Sequence, residues 1–367
     1  IVRVTVRGGG TTKLASLPGP GGETLDCGNA GTAMRLLIGA LTTRAGQATL
    51  IGDASLSSRP MERVAAPLRS VGAHITTTDG HAPVLVEGGH PIEAGEHKLR
   101  VASAQVIGCL VLASLTAAGT TVIEAPGPTR DHTERMLAWL GAPVRREGPV
   151  TTVEGPTGYA ARSVDVPGDI SAAAAWLVAG ALHPEAHIII EDVGLNPSRT
   201  GVIDVLRDMG ADIKVASGGP TDRCPEPIGT ITVSGGSPLH GIDLEGDRVA
   251  DVIDELPLIA VAMAAADGPS TLRDAAELRV KESDRIELVV ENLKAVGALA
   301  EERPDGWVVS RGARTDAAIR TAGDHRIAMA FAVAALTGVA GTVDIDDPAC
   351  AAVSYPTFWT DMERLTV

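Results

Sequence analysis

Aromatic side chains are nearly missing from this sequence: Phe, Trp and Tyr together make up 2 % of its 367 residues. Single-stranded nucleic acid is held by stacking on such rings and by a positive field, and here the formal net charge is -15, which argues against a polyanion as partner. A small anionic substrate is not excluded, because over a Debye length of about 8 Å a local cluster of arginines outweighs a distant acidic surface. Long uninterrupted apolar runs are absent too, so no membrane span is expected. Cysteine is scarce. Cys27, Cys109, Cys224 and Cys350 stand far apart with no paired spacing, which signals neither a zinc site nor a disulfide framework and fits a reducing, cytoplasmic setting.

What is present is an aliphatic chain, 44 % apolar and 21 % charged, long enough for two domains with cores of Ala, Leu, Val and Ile. Five times a polar or glycine-containing turn runs into a nearly all-apolar helix, at residues 32–41, 106–115, 172–182, 256–265 and 327–336. A glycine-punctuated strand follows each, at 48–51, 120–124, 187–191, 270–272 and 342–345. Then comes an amphipathic helix, at 59–71, 133–140, 201–209, 285–296 and 357–365. Four of these end in Gly-Ala (Gly72-Ala73, Gly141-Ala142, Gly210-Ala211, Gly297-Ala298), with glycine closing the helix before the next strand.

The order reads as a repeated βαβαββ unit in an α/β protein of two domains, 1–166 and 167–367, parted near Pro167-Gly168, and active sites commonly lie between domains. The alternating stretch 2–6 reads as the tail strand of a sixth unit whose front is absent, giving five units complete or nearly so and one truncated.

The turns ahead of the helices carry the chemistry. Leu25-Asp26-Cys27-Gly28-Asn29-Ala30-Gly31 leads into a helix bearing Arg35, where glycines admit a ligand to the backbone and free N–H groups favour an anion. Arg59, Arg130, Arg285 and Arg326 recur at equivalent turns, and several arginines converging imply a substrate with more than one anionic group. A lone Arg beside a helix is more often a surface residue, the plain reading for Arg199 and Arg207. Arg279-Val280-Lys281-Glu282-Ser283-Asp284-Arg285 is either a charged helix start capped by Ser283 or Asp284, or part of a proton-transferring anion site. Asp254-Glu255, with Asp251 one turn earlier, opens an apolar helix and carries the same two readings.

Five stretches, in this order along the chain, carry a family resemblance. They are Gly28-Asn29-Ala30-Gly31-Thr32-Ala33-Met34-Arg35, Gly52-Asp53-Ala54-Ser55-Leu56 with Arg59-Pro60-Met61, Ala102-Ser103-Ala104-Gln105-Val106, Leu278 through Arg285, and Asp324-His325-Arg326-Ile327-Ala328-Met329. Together they resemble the signatures of 5-enolpyruvylshikimate 3-phosphate synthases, in the forms of the bacterial class II subgroup. The resemblance implies the enolpyruvyl transferase fold, an inside-out α/β barrel of βαβαββ units in two domains.

It also implies transfer of the carboxyvinyl group of phosphoenolpyruvate to the 5-hydroxyl of shikimate 3-phosphate, with release of phosphate and with no metal or organic cofactor. Carried over by motif, Arg59 and the backbone at Gly31 hold the phosphate of phosphoenolpyruvate, and Arg285 and Arg326 its carboxylate. Ser103, Ala104, Arg130 and Lys281 grip the shikimate phosphate, and Gln105 lies between the substrates. Asp254 accepts the hydroxyl proton and Glu282 serves proton transfer at the methylene. The same resemblance implies glyphosate as an inhibitor, admitted because Gly31 has no side chain, and a monomer in the cytoplasm.

The family's first unit carries a Lys-Ser pair and a following Arg with no counterpart here, so a polypeptide of this length is expected to be a poor catalyst. Val353 stands where many relatives have a lysine before the Tyr355-Pro356 pair. The nearest alternative is UDP-N-acetylglucosamine enolpyruvyl transferase, disfavoured by Lys-Glu-Ser-Asp-Arg and by Ser103-Ala104-Gln105. A non-catalytic anion-binding remnant is the alternative from another class, and an RNA-processing relative is disfavoured by the acidic composition.

Overall fold

The computed structural model describes residues 22–365, so the strand expected at 2–6 lies outside the described residues. The chain divides into two compact units that part after Ser163. Pro167-Gly168 already belongs to the second: Asp165 is bonded there to Arg223, and the Gly168 N–H donates to the Asp192 carbonyl at 2.7 Å. Each unit has its own apolar core, one spanning Met34 to Val153 and the other Ile170 to Phe358. No helix among the described residues is long and apolar enough to cross a membrane.

Both four-stranded sheets of the first unit are built alike. One has the order Glu23–Asp26, Gly46–Ile51, His81–Gly88, His74–Thr78, with the first pair parallel and the rest antiparallel. The other runs Glu96–Lys98, Gly119–Glu124, Val150–Gly155, Val144–Glu147, again with one parallel pair. A parallel pair needs a crossover, and the apolar helices Gly31–Thr42 and Ala104–Ser114 supply it. These two helices pack against each other at a spacing only glycine allows: a Cβ on Gly39 would lie 2.2 Å from the Cys109 carbonyl oxygen.

The second unit repeats the scheme in Asp243–Leu244, Ser270–Leu272, Gly306–Ser310, Leu299–Arg303. It adds a three-stranded sheet and the parallel pair Ala317–Ile319 with Val343–Ile345. At its centre pack the helices Ile170–Leu182, Leu256–Ala265 and His325–Leu336, buried almost all round as their unbroken apolar sequences require. Small Ala side chains let them approach closely, and a group of aromatics gathers beside them, with Trp176, Tyr355 and Phe358 in mutual ring contact and Trp359 against Phe358.

The Gly-Ala endings close their helices in one way. Gly72, Gly141, Gly210 and Gly297 have φ of 95, 93, 110 and 93°, which carries a Cβ penalty for any other residue. Each following alanine N–H reaches back to a carbonyl of the last turn, Ala73 to Leu68, Ala142 to Leu137, Ala211 to Leu206 and Ala298 to Leu293, the Schellman arrangement. One expected helix differs. The helix expected at 59–71 runs only over Glu62–Ser70, and a separate short helix, Ala54–Ser57, capped by Asp53, precedes it, with Arg59-Pro60 in the turn between them. Pro60 bars Arg59 from helical backbone, and the turn is what leaves the Arg59 side chain to be placed by Asn29 and Ser55.

Candidate active site

In the first unit the cluster forms where the Gly31–Thr42 helix begins. Ala30 at the cap offers no side-chain hydrogen bond to the first turn, and the Gly31 N–H donates to the Asn29 carbonyl at 3.0 Å. Two guanidiniums reach Gly31: a Cβ placed there would lie 3.3 Å from Arg59 Nη1 and 3.5 Å from Arg35 Nη1. Arg59 Nη2 donates to Asn29 Oδ1 at 2.9 Å and to Ser55 Oγ at 3.2 Å, while Asn29 Nδ2 donates to Asp53 Oδ2 at 2.8 Å. The Leu56 backbone N–H, then the Asn29 amide, hold the Asp53 carboxyl below the usual carboxylate range.

Arg35, buried in the unit, donates from Nη1 to Gln105 Oε1 at 2.5 Å, and Gln105 Nε2 donates to Thr32 Oγ1 at 2.8 Å. The structure thus brings Gly31, Arg59 and Gln105 together, with Arg35 as their common neighbour. Ser103 stands at the cap of the Ala104–Ser114 helix without bonding it through its side chain, and Ala104 is the first helical residue. Arg130 lies in the loop before His132–Trp139 and belongs to another set of bonds: its carbonyl accepts from Arg146 Nη1 at 3.3 Å, and Arg146 also donates to Thr129 and pairs with Glu134.

In the second unit five of the expected residues meet. Asp254 Oδ1 lies 3.7 Å from Lys281 Nζ and 3.8 Å from Arg285 Nη1, and the Asp254 carbonyl accepts from Arg326 Nη1 at 2.7 Å. Glu282 Oε2 accepts from Arg285 Nη2 at 2.7 Å. Arg285 is only 1 % exposed and is gripped by Asp324, whose carboxylate accepts from Nε at 2.8 Å and Nη2 at 3.2 Å. Burial alone would weaken the charge on Arg285, but Asp324, Glu282 and Asp254 outweigh it and raise its pKa. For Asp324 burial likewise works against the charge, and Arg285 outweighs it and lowers its pKa. His325 is pushed down to about 4 by burial, with the Arg326 charge adding to the effect.

The charged run divides under this geometry. Arg279 bonds Asp284, Glu302 and two backbone carbonyls, and Asp284 caps the Arg285–Ala295 helix, so those two build the scaffold. Ser283 caps nothing and instead donates to Asp324 Oδ2 at 2.8 Å.

Sequence reasoning carried Glu255 as half of an acidic pair with two readings and Asp324 only as the first residue of a motif, and it missed Ser171 and Arg199 as members of the cluster. Arg199 is no surface residue: its side chain is 14 % exposed and donates to Ser171 Oγ. Ser171 is the second residue of its helix after the Asp169 cap, as Gln105 is after the Ser103 cap in the first unit, and that equivalence was the available signal. Among the described residues no group of His, Cys, Asp and Glu is placed to hold a metal ion.

The family model for EPSP synthase (3-phosphoshikimate 1-carboxyvinyltransferase) matches residues 3–362. The chain belongs to the EPSP synthase family. Among similar proteins are the 3-phosphoshikimate 1-carboxyvinyltransferases of Salinibacter ruber, 46 % identical across 95 % of this chain and 81 % of that protein, and of Gloeobacter violaceus, 45 % identical across 99 % and 83 %. The solved EPSP synthase of Acinetobacter baumannii superposes with a TM-score of 0.82 at 40 % identity, covering 96 % of this chain and 80 % of that one. The enolpyruvyl transferase NikO of Streptomyces tendae, at 20 % identity and a TM-score of 0.69 over 90 % of this chain and 75 % of that one, shares the fold. The EPSP synthase motifs are thus the segments that build both clusters, and the chain is an enzyme of the 3-phosphoshikimate 1-carboxyvinyltransferase class.

Proposed function

We propose that this EPSP synthase works with its two clusters in distinct roles, on phosphoenolpyruvate and shikimate 3-phosphate. In the first unit, Arg59 and the Gly31 backbone receive the phosphate of phosphoenolpyruvate, Gln105 contacts both substrates, and Ser103, Ala104 and Arg130 grip the shikimate phosphate. In the second, Lys281 completes that grip and Arg285 and Arg326 receive the carboxylate. Asp254 takes the proton of the 5-hydroxyl as its oxygen bonds to C2 of phosphoenolpyruvate and a proton is added at C3, giving a tetrahedral adduct. The adduct then loses phosphate from C2 and a proton from C3, with Glu282 as the group that serves the methylene. The two units are the enzyme's two enolpyruvyl transferase domains, and it acts as a cytoplasmic monomer open to glyphosate.

The observation that carries this reading is the setting of Asp254, a carboxylate with the ammonium of Lys281 at 3.7 Å and the guanidinium of Arg285 at 3.8 Å. Base, acid and cations within one contact shell are what proton transfer beside an anion requires.

Titration calorimetry with shikimate 3-phosphate, then with phosphoenolpyruvate or glyphosate added, followed by a phosphate-release assay, tests it. Shikimate 3-phosphate is expected to bind and to strengthen the second ligand, and to protect the protein against heat where UDP-N-acetylglucosamine does not. Binding of neither ligand would overturn the assignment of these residues.

A further inference from the structure

Glu255 precedes the Leu256–Ala265 helix at the place where a carboxylate ordinarily caps free N–H groups, yet its side chain makes no capping bond and none of it reaches solvent. Its Oε1 gathers donors from three parts of the second unit. Ser171 Oγ donates to it from the start of the Ile170–Leu182 helix. Arg199 Nη2 lies 3.7 Å away and itself donates to Ser171 Oγ at 2.5 Å. Arg326 Nη1 lies 3.6 Å away. The other oxygen, Oε2, is buried with no hydrogen-bond partner among the described residues. A carboxylate buried and only half satisfied is costly to keep, so its position calls for a role beyond filling space.

Arg326 supplies that role. Its Nη1 is held between the Asp254 carbonyl and Glu255, whereas Nε and Nη2 take no hydrogen bond among the described residues. One edge of the guanidinium is anchored and the other is left for a planar acceptor that can take two parallel bonds, which is the geometry of a carboxylate. Resting on the functional reading above, we propose that Glu255 is a positioning residue for the donor's carboxylate: it fixes the Arg326 guanidinium from inside the unit, and Ser171 and Arg199 fix Glu255.

The test uses the whole chain carrying Glu255→Gln, which keeps the volume and the acceptor for Ser171 and removes the charge facing Arg326. Affinity for phosphoenolpyruvate, titrated at saturating shikimate 3-phosphate, is expected to fall about tenfold or more, the size of a lost bond to a charged group, with shikimate 3-phosphate affinity changed by less than about twofold. Equal losses for both ligands, or none for phosphoenolpyruvate, overturn the proposal. A double variant, Arg199→Gln with Glu255→Gln, removes the buried pair together. Weak phosphoenolpyruvate binding is expected to persist in it while thermal stability recovers; a return to wild-type affinity means that Glu255 merely neutralises Arg199, and the proposal falls.

A readout without ligand keeps this separate from the functional reading. The Arg326 Nε–H resonance, assigned by its loss in Arg326→Lys, is expected to relax as an ordered group in the wild type and as a mobile one in Glu255→Gln. If the chain binds neither substrate the functional reading fails, and an Arg326 signal equally ordered in both proteins overturns the positioning role.

Discussion

The two units solve one problem in opposite ways. Each must place arginines at helix starts, where burial removes the water that would otherwise solvate them. In the first unit Arg59 and Arg35 donate to the neutral oxygens of Asn29, Ser55, Gln105 and Pro60, with the Asp53 carboxylate acting on Arg59 only through its field. In the second, Arg285 is held by the carboxylates of Asp324 and Glu282 with Asp254 close by, and Arg326 by the Asp254 carbonyl with the Glu255 carboxylate at 3.6 Å. Neutral acceptors fix direction without spending positive charge, which suits a phosphate; carboxylates spend it but supply groups that can carry protons. The contrast is one of support: neutral oxygens beside Arg59 and Arg35, carboxylates around Arg285.

The sharpest way to break the contrast is to remove one supporting acceptor from each unit. Asp324→Ala leaves the guanidinium of Arg285, 1 % exposed, without its principal partner, and should lower unfolding stability by about 3–5 kcal/mol, the cost of an uncompensated buried charge. Denaturant titration followed by Trp fluorescence reads this directly, since Trp176 and Trp307 lie buried in the same core. A loss below about 1 kcal/mol would mean that Glu282 and Asp254 suffice.

Acid should also single out the second unit. His325 is held down at about 4 when folded against an ordinary 6.5, by burial first and Arg326 second. Between those two values the unfolded chain binds a proton that the folded one refuses, so stability falls as pH drops from 6.5 to 4, by at most about 3–4 kcal/mol, and is little affected by this group above 6.5. His325→Leu should flatten that part of the stability curve; an unchanged slope would show that His325 takes its proton without cost.

The matching change in the first unit is milder. Gln105→Ala removes the 2.5 Å acceptor of Arg35 Nη1, but the partner lost is neutral and the Pro60 carbonyl remains at 3.4 Å. A loss of about 1.5–3 kcal/mol is expected, the range for a hydrogen bond with one charged member. If denaturant titration finds Gln105→Ala as costly as Asp324→Ala, the neutral and the ionic support are energetically alike and the contrast fails.

How far the sequence carried this reading depends on the range of each signal. Helix positions were legible because apolar periodicity is local: residues 256–265 and 270–272 come out as the helix Leu256–Ala265 and the strand Ser270–Leu272. So were the Gly-Ala endings, since only glycine takes their positive φ. The start of the helix expected at 59 was placed too early although Pro60 marks the turn before Glu62, and the short helix Ala54–Ser57, capped by Asp53, was not expected at all. Within the site, motif order brought out Asp254, Lys281, Glu282, Arg285 and Arg326, but not what holds them. Asp324 grips Arg285 from 39 residues away and Glu255 meets Ser171 from 84. In one dimension a carboxylate ahead of an apolar helix reads as a cap, and for Asp324 and Asp284 that is true as well; Glu255 is separated from them by making no capping bond at all.

The smallest expected effect lies at Gly31, and it probes the first unit alone. A Cβ there would sit 3.3 Å from Arg59 Nη1, 3.4 Å from Leu56 Cδ1 and 3.5 Å from Arg35 Nη1. The first distance is tight, the others are ordinary contacts, and the tight one is to the far end of a flexible side chain. Gly31→Ala should therefore fold without loss, since alanine favours the helix that begins there. Its cost falls on whatever shares the space with Arg59. Phosphoenolpyruvate, whose phosphate needs only the existing cradle, should lose affinity by about threefold, under 1 kcal/mol. The longer phosphonate of glyphosate needs the room the methyl now fills and should lose more. Competitive inhibition measured against phosphoenolpyruvate in both proteins decides it: inhibitor and substrate weakened by the same factor would mean that the methyl only shifts Arg59, and that the phosphate cradle is set by the arginine's direction rather than by the space beside Gly31.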